Sequence, residues 1–231
     1  MHRIMLAALA LIAAVPAAAA ERRYTVTDFD RIMVEGPFTV RLTTGRAPSA
    51  AASGSSGALE RVSIEVQGRT LRIRPNRSAW GGYPGESSGG AEIAVSTHEL
   101  RQAQLSGAGS LSIDKAKAMR FDLALSGNGR ISLGAVETDN LVLGAAGSGR
   151  IEIGGAAKTM RLTVIGAAAV DGGSLVVDDA QVNAETSGDV ALGVRRSARI
   201  AASGSGNVDI IGSPACTVDA TGAGLVTCGG D

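Results

Sequence analysis

The sequence has few large side chains: aromatic residues make up 3% of its 231 residues, with one Trp, two Tyr and three Phe. The core of an ordinary globular domain is built largely around such side chains, so their scarcity argues against a compact multilayer fold. Glycine is abundant instead, and its 32 residues are about twice the share found in average proteins. This composition indicates a thin, repetitive architecture.

The chain also lacks an excess of either charge, with 22 basic and 22 acidic residues. That balance gives no electrostatic basis for binding nucleic acid or an anionic membrane surface. His2 and His98 are the only histidines in the chain. We place His98 on an exposed corner before Leu100. The sequence therefore predicts no catalytic residue, no metal site and no cofactor.

A single long apolar run occurs, from Ile4 to Val15, near the start of the chain. It follows Arg3 and precedes Ala18-x-Ala20, a small-residue pattern that is typical of signal-peptide cleavage. The run is shorter than the roughly 20 apolar residues of a membrane span. We predict a signal peptide over residues 1–20 and an exported domain over 21–231, in the periplasm or outside the cell, with no transmembrane segment.

Glycine pairs recur along the second half of the chain in the pattern apolar-x-Gly-x-Gly-x-apolar, as in LSGNGRISL at residues 125–133. The apolar residue that follows each turn returns every 18 to 20 residues, at Leu111, Ile131, Ile151, Val170, Val190, Val208 and Val226. A dinucleotide loop would need a third glycine and a following helix, and a phosphate loop would need a lysine. We therefore interpret the glycines as structural turn residues: Gly107, Gly109, Gly127, Gly129, Gly147, Gly149, Gly204, Gly206, Gly222 and Gly224.

Each turn is preceded by an alternating apolar run, which predicts a strand with one buried face. One such position gives the column Leu123, Leu143, Leu162, Val182, Ile200 and Val218. Stacked units bury these faces in one continuous core. We predict an all-β fold, a parallel β-helix (solenoid) of about ten coils of roughly 20 residues. An antiparallel meander or sandwich with hairpins at the glycines is the alternative.

Residues 21–104 are predicted to form irregular N-terminal coils of the same domain, and residues 105–231 the regular repeats. Two interruptions are expected, a flexible Ala/Ser/Gly-rich loop at 45–58 and a loop at 76–90. A separate small N-terminal β domain is the alternative. The second loop carries Trp80 and Tyr83, which we take as a candidate surface for stacking on a sugar or a partner. Folding of this loop over the N-terminal end of the solenoid is the competing interpretation.

The two cysteines, Cys216 and Cys228, fall in two inward columns of the predicted coils. Side chains become smaller along the first column, from Phe121 to Ala198, which predicts a core that tapers towards the C-terminus. A taper brings the last two strands close enough for a disulfide, which an exported protein permits. We predict a Cys216–Cys228 bridge, with two reduced thiols as the alternative.

The repeated turns SGNGRI (126–131) and SGSGNV (203–208), together with the early block VEGPFTVRL (34–42), resemble the putative auto-transporter adhesin, head GIN domain family. The resemblance covers about residues 28–229. It implies a right-handed parallel β-helix in the bacterial cell envelope. Two coils depart from the turn pattern, with Ala168 and Thr186 at glycine positions.

These observations lead to a non-enzymatic scaffold of the cell envelope that functions in adhesion or in binding a ligand or partner. The expected partners are an envelope protein or glycan, and end-to-end self-association of solenoids is a further expectation because terminal coils expose unpaired strands. The alternatives are a carbohydrate-active β-helix enzyme and an adhesin passenger that is exported by a separate translocator.

Overall fold

The computed structural model describes residues 20–76 and 90–230, which form a parallel β-solenoid. The prediction of a parallel solenoid is therefore confirmed. The described ranges contain one five-residue helix and sixteen strands. The elements are β1 (Ala20–Tyr24), β2 (Arg31–Glu35), β3 (Thr39–Thr44), β4 (Ser49–Gly54), α1 (Ser56–Glu60), β5 (Val62–Gln67), β6 (Thr70–Pro75), β7 (Glu92–Thr97), β8 (Gln102–Ser106), β9 (Ser110–Gly127), β10 (Arg130–Gly147), β11 (Arg150–Gly166), β12 (Ala169–Thr186), β13 (Val190–Ala202), β14 (Val208–Ile211), β15 (Ala215–Ala220) and β16 (Val226–Gly230).

The regular coils stack in parallel, each on the next, from β9 to β13 and then to β14, β15 and β16. Each coil has two sheet faces, one before and one after the bend near its middle. Leu143 pairs with Leu123 on one side and Leu162 on the other, and the same register continues to Val182, Ile200 and Val218. The predicted column is thus present, and the antiparallel alternative is wrong for this region.

The prediction of about ten coils is too high, because the solenoid has about six turns. The N-terminal strands do not form successive coils. Instead, β2 lies between β6 and β8, and β3 lies between β7 and β9, all in parallel. In the stack, the coil formed by β2 and β3 therefore lies between β6 and β7 on one side and β8 and β9 on the other. At the N-terminal end of the solenoid, β4 pairs antiparallel with β7, and β1 pairs antiparallel with β4. On the other face, β5 pairs antiparallel with β6.

The prediction of a flexible loop at 45–58 is wrong. Residues 49–54 form β4, which pairs antiparallel with β7, and residues 56–60 form α1. Ser55 caps the helix by accepting a hydrogen bond from the Ala58 backbone N–H at 3.2 Å. Ala50 and Ala52 of β4 are buried and belong to the core. One cluster of buried side chains runs from Phe29 to Ile210.

The glycine turns join the two sheet faces at one corner of every coil. Gly107, Gly127 and Gly147 have φ between +106° and +110°, a conformation that is open to glycine but strained for other residues. The second glycine of a pair has a different role: a Cβ on Gly129 would lie 2.6 Å from the carbonyl oxygen of Gly109. At Thr186 the turn differs, since the described residues include no non-glycine residue with positive φ. The Thr186 hydroxyl instead donates to the Ala168 carbonyl and accepts from Gly188 N–H, both at 2.9 Å.

The C-terminal turn closes on a disulfide between Cys216 and Cys228, so that prediction is confirmed. Cys216 stacks on Ala198 and Cys228 on Ile210. Their Cα atoms are 6.6 Å apart, less than the roughly 10 Å between packed sheets. The two strands are therefore closer together here than packed sheets usually are.

Candidate functional site

The second corner of the coils, opposite the glycine turns, carries a depression. It forms where neighbouring coils differ in length. Between Leu133 and Val136 the register of β10 shifts, so that Val136 pairs with Gly155 while Leu133 pairs with Ile153. Coil β11 therefore has one residue fewer at this corner than coil β10. Gly155 accommodates the shorter path with φ +115°, and a Cβ at this position would clash with the Val136 backbone.

The depression is a furrow with a volume of about 650 Å³, which we call the corner furrow. Its floor is apolar and is formed by the side chains of Ala118, Met119, Ala156 and Val176. Met119 is 80% exposed, so most of its side chain projects into solvent. A large, unburied apolar side chain in a concave setting is typical of a contact surface rather than of the core.

Ion pairs line the rim of the corner furrow. Lys117 Nζ donates to Glu137 Oε1, and Lys158 Nζ lies the same distance, 2.7 Å, from Asp139 Oδ1. The hydrogen bond to Asp139, with the charges of Asp139 and Asp178, raises the pKa of Lys158 above its ordinary value. Both lysines are exposed, so the pairs add little stability. They do hold four charged groups in fixed positions around the apolar floor.

A second depression of about 490 Å³ continues the corner furrow towards the N-terminus and shares Lys117, Glu137 and Ala156 with it. It ends at His98, which lies on the exposed corner between β7 and β8, as the sequence predicts. His98 Nδ1 is 3.2 Å from Asp28 Oδ1.

Asp28 belongs to an ion cluster around Asp30, a carboxylate that is only 4% exposed. Asp30 Oδ2 accepts a hydrogen bond from Arg69 Nε at 2.9 Å and lies 3.9 Å from Arg101 Nε. The hydrogen bond to Asp30 and its charge raise the pKa of Arg69. The Thr97 hydroxyl donates to the Phe29 carbonyl beside it. We interpret this cluster as structural, since these bonds tie the inserted strand β2 to β6 and to the chain between β7 and β8.

A smaller groove of about 360 Å³ lies on the outer face of the sheet that follows the corner, across coils β9 to β13 and β15. We call it the sheet-face groove. Its lining includes Arg161, Asp179, Gln181, Ser197 and Arg199. The Ser197 hydroxyl donates to Asp179 Oδ1 at 2.7 Å, and Arg196 pairs with the other oxygen. The hydrogen bond from Ser197, assisted by the charge and hydrogen bond of Arg196, lowers the pKa of Asp179.

Neither the two cysteines nor the turn glycines predicted from the sequence line these depressions. Trp80 and Tyr83 are outside the described residues. The described residues Pro75 and Gly90, on either side of this segment, lie beside the Gly36–Pro37 turn. A Cβ added to Gly36 would be 3.1 Å from Pro75 Cγ, and a Cβ added to Gly90 would be 3.3 Å from the Pro37 carbonyl oxygen. That turn belongs to the glycine corner, on the other side of the coil from the corner furrow.

The corner furrow is not among the sites predicted from the sequence. A signal was available: the interval between the turn residues falls from 20 to 19 residues after Ile151, and the missing residue is at the Gly154–Gly155 pair. Within residues 20–76 and 90–230, no three His, Cys, Asp or Glu side chains converge as a metal site would require. The five-residue helix α1 is far shorter than a membrane-spanning helix, and no longer helix occurs in these ranges.

Comparison with known proteins places these features in a family. The family model described as putative auto-transporter adhesin, head GIN domain, matches residues 28–214. No curated protein matches the chain significantly in sequence.

Several solved structures are similar to the chain over nearly its whole length. A putative adhesin from Bacteroides fragilis NCTC 9343 has 19% identity and a TM-score of 0.80, covering 91% of this chain and 97% of that one. A putative lipid binding protein from Parabacteroides distasonis ATCC 8503 has 22% identity and a TM-score of 0.71, covering 94% and 98%. A putative adhesin from Parabacteroides merdae ATCC 43184 has 15% identity and a TM-score of 0.68, covering 94% and 98%. At these identities the similarity shows the fold alone.

Proposed function

Because this chain belongs to the putative auto-transporter adhesin, head GIN domain family, we propose that it is an exported, non-enzymatic binding scaffold of the bacterial cell envelope. Its corner furrow is the contact surface, and the occupant is a protein partner. Membership of the family supports the adhesive role and the envelope location, and the surface chemistry of the furrow supports the assignment of the site.

The exposed Met119 on the apolar floor of the corner furrow carries this proposal. Protein interfaces combine an apolar centre with a polar, solvent-accessible rim. The corner furrow has this arrangement, with Met119 and Val176 at the centre and the Lys117–Glu137 and Lys158–Asp139 pairs around them. Methionine is also well suited to such a centre, because its flexible thioether adapts to the shape of a partner.

The solenoid presents this surface on a rigid support. Coils β9 to β12 beneath the furrow are joined by continuous parallel pairing. Little conformational entropy is then lost when a partner binds, because the backbone of the contact surface is already ordered. A preformed surface of this kind suits a binding protein.

The sheet-face groove supports the non-enzymatic part of the proposal. A glycosidase uses a pair of carboxylates on either side of the scissile bond. Among the described residues that line the groove, Asp179 is the single carboxylate. Its pKa is lowered, whereas a general acid needs a raised pKa.

An amphiphile in the corner furrow is a second candidate, favoured by the apolar floor and by the description of one structural neighbour as a putative lipid binding protein. Sites for small ligands usually enclose 70–90% of the ligand surface. The corner furrow lies on the outside of the solenoid and is open along its length, so an acyl chain in it would keep one side in water. The open shape favours a protein partner, which would cover the furrow.

The proposal is tested with fluorescently labelled protein, residues 21–231, added to intact bacterial cells from which its own gene has been deleted. Met119→Ser removes the centre of the corner furrow. Ile165→Ser is the matched control, because Ile165 is another exposed apolar residue, 49% accessible, and lies outside the furrow. Vesicles of phosphatidylethanolamine and phosphatidylglycerol in a 3:1 ratio form the lipid arm of the experiment.

We expect saturable binding to cells that Met119→Ser weakens at least tenfold, that Ile165→Ser leaves unchanged, and that treatment of the cells with protease removes. Equal binding by the wild type and Met119→Ser would overturn the assignment of the furrow. Two results together would replace the protein partner with an amphiphile: binding to vesicles that depends on Met119, and binding to cells that survives protease treatment of those cells.

A further inference from the structure

The two ends of the solenoid differ in how their strand edges are protected. At the C-terminal end, β15 pairs only with β13 and β16 pairs only with β14. Each therefore has one edge of backbone N–H and C=O groups without a neighbouring strand. Natural proteins normally protect such edges with charges, proline, bulges or a covering segment.

The side chains at the C-terminal end are exposed and apolar. Val218 is 45% exposed although it occupies the column in which Ile200, one coil earlier, is 1% exposed. Leu225, in the turn before β16, is 68% exposed. These two residues are among four large apolar side chains that are exposed in the described part of the chain. Both would be buried by one more layer of strands.

Charge is also sparse in this segment. Residues 213–231 contain two charged side chains, Asp219 and Asp231, whereas the preceding residues 189–212 contain five. No lysine or arginine is present to prevent strand pairing at this edge, so the usual electrostatic protection of an edge strand is lacking.

The N-terminal end is protected by a covering helix and by charged side chains. Helix α1 lies against β4 and β5 and buries Ala58 and Leu59 at the end of the core. The outermost strand of one face, β1, has three charged residues in five, Glu21, Arg22 and Arg23. The outermost strand of the other face, β5, carries Glu65, which is paired with Arg74.

We propose that the C-terminal end of the solenoid binds the C-terminal end of a second copy of this chain, giving a closed two-fold dimer. A two-fold axis between the ends places each free edge antiparallel to a free edge of the other copy. A surface of this kind is complementary to itself. Because the N-terminal end is covered and charged, association stops at two copies and does not continue as a filament.

Three observations favour a second copy over another occupant. The undescribed segments 1–19 and 77–89 join the chain at β1 and β6, both at the N-terminal end, and the single undescribed residue after β16 is Asp231. The scarcity of charge allows two identical ends to meet with little electrostatic repulsion. The eleven residues of β15 and β16 give about 36 Å of strand edge, and with the open core between them we expect a buried area of roughly 1,000 Å².

That area lies at the lower limit for specific interfaces, so the dimer is expected to dissociate in the micromolar range. The Cys216–Cys228 disulfide joins the two edge strands. It holds both edges in one fixed arrangement before they meet a partner, which lowers the entropic cost of pairing.

The test is sedimentation equilibrium of the oxidised protein, residues 21–231, from about 1 to 200 μM. The variant Thr217→Lys/Leu225→Lys places two cations at the C-terminal end. Gln67→Lys places one on β5 at the other end and serves as the control, since Gln67 is exposed. Thermal unfolding by circular dichroism verifies that all three proteins are folded, and small-angle scattering measures their length.

We expect the mass of the wild type and of Gln67→Lys to double with concentration, and the maximum dimension nearly to double with it. The dissociation constant of the double variant should rise at least tenfold. A wild type that is monomeric at 200 μM overturns the proposal, as does a dimer that the two lysines do not weaken. Growth beyond two copies, or loss of the dimer in Gln67→Lys, would show that the N-terminal end takes part and would also overturn it.

Discussion

Cys216 and Cys228 lie opposite each other in the last turn of the solenoid, with their Cα atoms 6.6 Å apart and their sulfur atoms joined. They are separated by 12 positions in sequence and occupy the positions that Ala198 and Ile210 hold one coil earlier. The bond therefore crosses the core between the two sheets. The turn that it holds in place is also the one with the fewest neighbouring coils.

Reduction of this disulfide is expected to destabilise the last turn first. A loop of this length contributes about 2–4 kcal/mol, and solenoid coils are stabilised mainly by their nearest neighbours. We predict that Cys216→Ser/Cys228→Ser increases hydrogen exchange in β15 and β16, while exchange in β9 and β10 stays as in the wild type. Mass spectrometry of the unreduced wild type should show a bridged peptide and no free thiol; two free thiols would contradict the structure.

The glycine corner provides a matched pair of substitutions. A Cβ at position 129 would lie 2.6 Å from the Gly109 carbonyl oxygen and 2.9 Å from Leu105 Cδ2, whereas a Cβ at position 144 would have no heavy atom within 4 Å. We expect Gly129→Ala to lower the free energy of unfolding by about 1–3 kcal/mol. Gly144→Ala should leave it equal or raise it by about 0.5–1 kcal/mol, because alanine loses less backbone entropy on folding.

Urea titrations followed by circular dichroism measure both glycine variants. Similar unfolding midpoints for Gly129→Ala and Gly144→Ala would show that the coils can separate enough to admit a methyl group, which would disprove the close-approach role of Gly129.

Asp179 gives a prediction about protonation. Its pKa is lowered mainly by the hydrogen bond from Ser197 and then by Arg196, so Ser197→Ala should raise the pKa towards its ordinary value. A carboxyl group with a lowered pKa in the folded state stabilises the fold above its unfolded pKa, and this contribution is lost as the pH falls through the folded pKa. Ser197→Ala should therefore weaken the dependence of stability on acidic pH.

Carboxyl ¹³C chemical shifts, recorded through an acid titration, report the pKa of Asp179 directly. Ser112→Ala, an exposed serine on the other sheet face, is the control and should leave the titration of Asp179 unchanged. An unchanged titration in Ser197→Ala would remove the assigned cause.

Cleavage of the predicted signal peptide after Ala20 would leave Glu21 as the first residue. Strand β1 begins at Ala20 and pairs with β4 through Tyr24, so removal of residues 1–20 preserves four of its five residues. We predict that N-terminal sequencing of protein recovered from the envelope begins Glu-Arg-Arg-Tyr. An N-terminus at Met1 would contradict export through cleavage at this site.

Trp80 and Tyr83 remain candidates for binding a sugar or a partner. Trp80 is the only tryptophan, so the tryptophan emission of the protein reports on residues 77–89 alone. We expect a glycan that is selected on a glycan array to shift this emission, and Trp80→Ala to abolish its binding. Binding that persists in Trp80→Ala would exclude the loop as the glycan site.

The regular half of the fold was predictable because its information is local and repeated. Period-two alternation defines the buried face of each strand, and the interval of 18 to 20 residues places Leu123 on Leu143 without any knowledge of distant contacts. The same reasoning placed Cys216 and Cys228 in columns that converge at the C-terminal end.

The remaining features depend on information that the repeat does not carry. The insertion of β2 and β3 between β7 and β8 pairs Arg31 with Gln102 and Thr39 with Ser110, and no motif connects such distant segments. The alanines of β4 resemble a linker in composition, and they form a strand by pairing with β7, which is distant in sequence. The corner furrow depends on one missing residue at Gly155. A difference of one residue does not stand out in a repeat whose interval already varies from 18 to 20 residues.

The parallel stacking of the coils also has a mechanical consequence. The hydrogen bonds between coils run along the axis of the solenoid, so tension between its two ends pulls directly against one set of bonds at a time. The coils should then detach singly, each releasing roughly 65 Å of extended chain, so the protein would lengthen in steps under load. The disulfide prevents the segment from Cys216 to Cys228 from extending, which makes the C-terminal turn the one that yields least chain to an applied force.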